Sequence, residues 1–183
     1  MDEATGPAAY RIHVWIRGIN PMIWRRLVVP SERTLADLHY AIQIAFAWTD
    51  YHLHRFRIRG KEYGIPRRGG PWYSRDARDL RLIDFHFRVN ERFLYEYDFT
   101  DSWEHQVRIE QFVPPEQTQP WQACELVNQI AECVDKRDMT ALRDHIDEIA
   151  TMKEWLLLDK FDRRKVNRRL RQYAADDDEW RWQ

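Results

Sequence analysis

At 183 residues the chain is long enough for one domain with a real core plus a helical appendage, since a chain of this size buries roughly two-thirds of the surface its unfolded form exposes. Nine Trp and 14% aromatic residues stand beside 32% charged residues, so large rings must carry much of the core burial while arginine-rich surfaces face water. The formal net charge of −1 excludes any argument for nucleic acid or membrane from bulk charge alone.

No apolar run approaches the length of a membrane span, and Met1-Asp2-Glu3-Ala4 lacks a basic segment followed by an apolar one, so a cytoplasmic protein with no membrane partner is expected. In chain order, Tyr10 to Arg17 alternates apolar and polar residues with the period of a half-buried strand. The Gly18-Ile19-Asn20-Pro21 turn leads to a second strand, Ile23 to Val29, closed by Pro30 and Ser31. A helix is predicted from Thr34 to Trp48, with Leu35, Leu38, His39, Ile42 and Phe46 on one stripe, which puts His39 on the apolar face.

His52 to Arg59 reads as a third strand, with His52, His54, Phe56 and Ile58 toward the core and Leu53, Arg55, Arg57 and Arg59 on a basic face. Gly64 to Ser74, rich in Gly and Pro, reads as a mobile or ligand-facing loop. Arg92 to Phe99 and Trp103 to Val113 form a hairpin. A three-residue loop would pair Phe93 with Ile109, Tyr95 with Val107 and Tyr97 with His105, setting His105 toward the core and Asp98 across from Glu104.

After Pro114 and Pro115 the pattern turns helical, with stripes at Leu126, Val127, Ile130 and Val134 and at Met139, Leu142, Ile146 and Ile149. A last helix from about Asp162 carries Val166, Leu170 and Tyr173 inward. Cys124 and Cys133 have no metal-box or redox spacing, and Asp176, Asp177, Asp178 and Glu179 make an acidic tail able to quiet a basic face. The expected architecture is a single α+β domain: residues 1–115 hold a mixed sheet of about five strands with one helix packed on a face, and residues 116–183 add C-terminal helices packed on that core.

Four ordered motifs, Ile19-x-Pro21-x-x-Trp24-Arg25-Arg26, Leu38-His39-x-x-Ile42-Gln43, Trp48-x-Asp50-x-His52-Leu53-x-x-Phe56 and Tyr97-Asp98-Phe99-x-Asp101-x-Trp103-x-His105, together resemble the plasmid pRiA ORF-three-like family. The resemblance covers roughly residues 8 to 113, and Asp162 to Leu170 looks like that family's C-terminal end. It implies an α+β fold and a link to plasmids and insertion elements, with no agreed activity. Ala47 and Thr100 stand where relatives commonly have Gly, so the backbone there must manage without a residue that tolerates positive φ.

Three constellations could carry chemistry. The first is a histidine cluster: His39, His52, His54 and His105 with Asp50 or Asp101, of which His39, His52 and His105 would offer the ligands for zinc or iron. Bonds from each ring to carbonyls or Tyr hydroxyls in an aromatic core are the plainer alternative. The second is the acidic group Asp98, Asp101 and Glu104, which could hold magnesium or simply pair with nearby arginines. The third is basic: Arg55, Arg57, Arg59, Lys61, Arg67 and Arg68 interleaved with Trp72, suited to phosphate contacts and base stacking.

No Gly-x-Ser-x-Gly, Gly-x-x-x-x-Gly-Lys or Gly-x-Gly-x-x-Gly motif is present, which disfavours ordinary hydrolase and nucleotide-fold readings and leaves enzymatic activity open. The leading expectation is a non-enzymatic binding or accessory protein of mobile-element origin that contacts nucleic acid or a protein partner and needs no cofactor. The alternative is a metal-dependent enzyme, acting for instance on phosphodiesters, that uses the histidine cluster or the Asp98–Glu104 group, and the family motifs point to His39, Asp50, His52, Asp98, Asp101, Trp103 and His105 as the candidate site.

Overall fold

The structure is a computed structural model and describes residues 7–19, 22–114 and 163–175. Its centre is one mixed sheet of seven strands: β1 (Ala9–Ile16), β2 (Trp24–Pro30), β3 (His54–Ile58), β4 (Lys61–Gly64), β5 (Arg75–Asp76), β6 (Arg92–Tyr97) and β7 (Trp103–Val113), in the order β2-β1-β7-β6-β3-β4-β5. Every pairing is antiparallel except β4 with β5. Two helices are described, α1 (Leu35–Ala45) and α2 (Arg163–Ala174).

The sheet is larger than expected because β4 and β5 come from sequence read as turn and loop. Arg59 and Gly60 both take positive φ, 49° and 75°, which is the backbone a two-residue hairpin turn requires, and this folds Lys61–Gly64 back onto β3. Gly64 is needed at the end of β4 because a Cβ there would run into the Tyr73 ring, whose hydroxyl donates to the His54 carbonyl at 2.6 Å.

One sheet face packs on α1. Tyr10, Ile12, Val14, Leu27, Val29, Phe56, Ile58, Phe93, Tyr95, Tyr97, Val107 and Ile109 all join the core there. Thr34 caps α1 with a reciprocal pair of bonds: Asp37 N–H donates to Thr34 Oγ1 at 3.0 Å and Thr34 N–H donates to Asp37 Oδ2 at 2.7 Å. The helix ends before the expected Trp48, since Ala47 turns to φ 58° while Trp48 N–H reaches the Gln43 carbonyl at 2.7 Å and Ala47 N–H reaches that of Ile44 at 3.2 Å. That is a Schellman ending with alanine in the position glycine usually fills. Arg25 Nε donates to the Ala45 carbonyl at 2.9 Å and completes the cap.

The expected helix from Asp162 is α2, with Val166 and Leu170 in the core and the Tyr173 hydroxyl donating to Asp37 Oδ1 at 2.6 Å. The helical stripes expected between Leu126 and Ile149, both cysteines and the acidic tail lie outside the described residues.

The β6–β7 register corrects the expected one. Phe93 pairs with Val107, Tyr95 with His105 and Tyr97 with Trp103, two residues away from the three-residue-loop pairing. The turn runs from Asp98 to Ser102, with both ends at positive φ (57° and 51°). Asp98 Oδ1 accepts from Thr100 N–H at 3.0 Å and the Asp98 carbonyl from Ser102 N–H at 2.6 Å. This local bonding takes Asp98 and Phe99 out of the strand. A shift of two keeps every side chain on its face, so His105 is buried as expected, but Glu96 and not Asp98 lies opposite Glu104.

Candidate functional site

Most of the motif residues converge where the C-terminal half of α1 crosses β3, β6 and β7. His39 and Gln43 lie four apart on α1 and so share one helix face. That face meets Tyr95 of β6: Gln43 Nε2–H donates to the Tyr95 oxygen at 2.7 Å, and the Tyr95 hydroxyl lies 2.9 Å from His39 Nδ1. His39 Nε2 lies 3.0 Å from Asp50 Oδ1. The arrangement is self-consistent with one tautomer: Nε2–H donates to the carboxylate, Tyr95 O–H donates to Nδ1, and Gln43 supplies the proton that the Tyr95 oxygen accepts.

The network closes on itself, because Asp50 N–H donates to Gln43 Oε1 at 2.9 Å. Asp50 sits at φ 54° and Arg67 Nη2 donates to its Oδ1 at 2.8 Å. The next two backbone N–H groups, of Tyr51 and His52, donate to the Tyr97 hydroxyl at 3.1 and 3.3 Å. A turn that would otherwise be loose is thereby fixed to two buried tyrosines.

Burial sets the protonation states. His39 is fully buried and its pKa is lowered by burial against the opposing pull of Asp50. His54 stacks on it at 3.5 Å between ring centroids and 11° between planes, and burial, with His39 and Arg67 nearby, lowers its pKa well below the ordinary value. Burial raises Asp50, but the bonds from His39 and Arg67 outweigh it and hold the carboxyl below its usual range. At neutral pH the cluster is thus an ionised carboxylate beside two neutral imidazoles. His54 Nε2 is buried and makes no hydrogen bond among the described residues.

The expected ligand trio does not assemble. His52 was placed on the core face of the third strand, but β3 begins only at His54; His52 is exposed and lies 3.4 Å from Asp98 Oδ2. His105 is buried among Phe46, Trp48 and Tyr95, where Nδ1–H donates to the Trp103 carbonyl at 2.9 Å. Burial pushes its pKa down to about 4. Trp103 packs on Trp48 at 5.6 Å as part of the core. Among the described residues the group that comes within ligand distance is His39, Asp50 and His54, with one ligand atom from each lying within 4.8 Å of the others. Asp98, Asp101 and Glu104 form no such group; Asp101 is exposed at the turn.

The basic strand is largely neutralised by its neighbours. Arg55 bonds Glu96 at 2.8 Å and Glu62 at 3.2 Å, Arg57 bonds Glu62 at 3.1 Å and Glu96 at 3.3 Å, and Arg59 bonds Glu91 at 2.8 Å. Glu104, opposite Glu96, is held by Arg17 at 2.6 Å and approached by Arg57 at 3.8 Å, so arginines offset the like-charge pair. Lys61, Arg68 and Arg75 make no ion pair among the described residues, and Trp72 is 94% and Tyr51 82% exposed. Arg59, Lys61 and Arg75 line an open cleft of about 300 Å³ with Tyr63 and Phe85.

Sequence reasoning missed Gln43 and Tyr95 as network members, and Tyr51 and Arg75 on the surface. Gln43 carried a usable signal, the four-residue spacing from His39 on an apolar stripe; Tyr95 carried none until its register with His105 was known.

Comparison with known proteins agrees with this architecture. An uncharacterised protein of Sinorhizobium fredii, y4hQ, is 36% identical over 105 residues, covering 57% of this chain and 54% of that protein, so the chain spans about half the length of this curated relative. The crystal structure of a protein of unknown function from Methanosarcina mazei, MM3350, is similar with a TM-score of 0.56 and 36% identity over 66% of this chain and 69% of that one. The family model described as plasmid pRiA4b ORF-3-like protein matches residues 8–170, and the chain belongs to that family.

Proposed function

We propose that the protein is a non-catalytic accessory protein of plasmid or insertion-element origin that binds single-stranded nucleic acid, with Tyr51 and Trp72 as stacking platforms and Lys61, Arg68 and Arg75 as phosphate contacts. The observation that carries this reading is Trp72, 94% exposed in a chain that packs most of its described rings into the core, with Tyr51 82% exposed on a turn fixed by Tyr97. An exposed ring costs nothing to desolvate partly on one face, and stacking on it is indifferent to base identity. Lys61 opens β4, Arg75 opens β5 beside it, and Arg68 belongs to the same loop as Trp72.

The arginines of β3 serve this surface less directly than the sequence alone implies, because each already has a carboxylate. Reversing them would strip Glu96, 5% exposed, of its partners and damage the sheet, so they are poor probes of binding. The informative variants are Trp72→Ala and Tyr51→Ala, assayed by fluorescence anisotropy with a labelled single-stranded oligonucleotide at low salt. Each should weaken binding by about 1–3 kcal/mol and leave the melting temperature unchanged. Absence of binding by the wild type, or equal affinity in both variants, refutes the reading; preference for a protein partner over the oligonucleotide would do so as well.

A further inference from the structure

We propose that His39, Asp50 and His54 bind one divalent transition-metal ion of the zinc type. Four observations converge on this cluster. One ligand atom from each residue lies within 4.8 Å of the other two. His39 Nε2 and Asp50 Oδ1 are 3.0 Å apart, close to the spacing of two neighbouring ligands bonded to one ion at about 2.0–2.2 Å. His54 is 1% exposed and its Nε2 has no partner among the described residues, so it has a ring nitrogen to give without breaking a bond. Finally, His39 Nδ1 lies 2.9 Å from the Tyr95 oxygen, which Gln43 holds at 2.7 Å, a partner able to turn and accept the Nδ1 proton of a metal-ligating ring.

The donor set selects the ion. Two neutral imidazoles and one carboxylate suit zinc or iron(II), with room for water in the remaining positions, whereas magnesium and calcium demand oxygen-rich surroundings. The Asp50 side chain is 15% exposed and Arg67, 35% exposed, lies over it, which leaves an entry path past a movable side chain. Two features work against the ion and shape the test. The His39 and His54 rings are stacked and nearly parallel, so their in-plane lone pairs do not converge until His54 turns out of the stack. The Arg67 guanidinium sits 2.8 Å from Asp50 Oδ1 and repels a cation. As the metal takes the place of the proton that His39 Nε2 donates to Asp50, the ring keeps its one proton on Nδ1 and the Tyr95 oxygen turns from donor to acceptor, so two neutral imidazoles and a carboxylate bind the ion with no net release of a proton to solvent.

The experiment uses the full chain without an affinity tag, stripped with a chelator and titrated with Zn²⁺ by calorimetry in buffers of different ionisation enthalpy, and with Co²⁺ by visible absorption. The expected result is one ion per chain, no net proton release at neutral pH, and a Co²⁺ spectrum of an ordered nitrogen and oxygen site. Asp50→Asn and His54→Ala should each weaken binding about 10–100-fold or more, and His52→Ala should leave it unchanged. Arg67→Ala should tighten binding, a gain that a merely destabilised variant cannot mimic. The proposal is overturned if the folded wild type binds no stoichiometric ion, if Asp50→Asn and His54→Ala bind as the wild type does, if Arg67→Ala weakens binding, or if His52→Ala abolishes it and so locates the ion at His52 and Asp98.

Discussion

Replacing Tyr95 with Phe removes one oxygen from the centre of the buried network and keeps the ring. In the native protein that oxygen accepts from Gln43 Nε2 at 2.7 Å and its proton serves His39 Nδ1 at 2.9 Å. Both partners belong to residues that are 0% exposed, so neither can turn to water. Each orphaned buried polar atom costs about 1–3 kcal/mol, and with His39 and Gln43 still tied to Asp50 the two together should cost about 2–4 kcal/mol. That is a large share of the roughly 5–15 kcal/mol by which a domain of this kind is stable. Tyr97→Phe is the matched control. Its hydroxyl also accepts two bonds, but from the N–H groups of Tyr51 and His52, both exposed residues, so water replaces the lost oxygen and the cost should stay under about 1 kcal/mol. Urea denaturation followed by circular dichroism measures both, with an unchanged slope required for the comparison. A Tyr95→Phe midpoint equal to wild type, or an equal loss in Tyr97→Phe, would show that the network is not held as described.

Two further outcomes follow from the same core. Burial lowers the pKa values of His39 and His54, and that of His105 to about 4, against an ordinary value of 6.5. The unfolded chain therefore takes up protons that the folded one refuses. Stability is complete above the ordinary value and is lost as pH falls toward the folded pKa; His105 alone accounts for about 3 kcal/mol across its window. Urea midpoints measured from neutral pH downward should fall steadily through this range, and a flat profile would contradict the buried neutral imidazoles. Ala47, exposed at φ 58°, holds the glycine position of a Schellman ending. Ala47→Gly relieves about 1–2 kcal/mol of left-handed strain and gives back part of it to unfolded-state entropy, for a net gain of about 0.5–1 kcal/mol. A lowered urea midpoint would mean that the alanine is not strained.

How far the fold was legible depended on whether a feature was periodic. The faces of β1, β3, β6 and β7 could be read because side chains alternate with period two. Periodicity fixes faces only up to an even shift, which is why the hairpin slid by two residues while His105 stayed in the core. Non-periodic features escaped. The β3–β4 turn at Arg59-Gly60 lacks the Asn-Gly or Asp-Gly signature of its backbone type, and β5 is too short to alternate. His52 was misplaced because alternation was carried one step beyond the point where Asp50 leaves the extended region.

The site was half legible for a related reason. A single strand shows which charges share a face but not what stands beside them, and beside β3 stand carboxylates. Arg55 finds Glu96 forty-one residues away and Arg59 finds Glu91 thirty-two residues away, partners delivered by strand order and by a loop rather than by local sequence. Once paired, those arginines project little field, whereas Lys61, Arg68 and Arg75 make no ion pair among the described residues, and Trp72 and Tyr51 stand exposed. The same logic runs in the opposite direction inside the protein. His39 and Asp50 could be named from their motifs, but the stack of His39 on His54 and its bond to Tyr95 exist only because α1 crosses β3 and β6 at that level. Which charges the chain presents outward is set by which of them its sheet cancels. Which polar groups it gathers inward is set by those its helix leaves with nowhere else to bond.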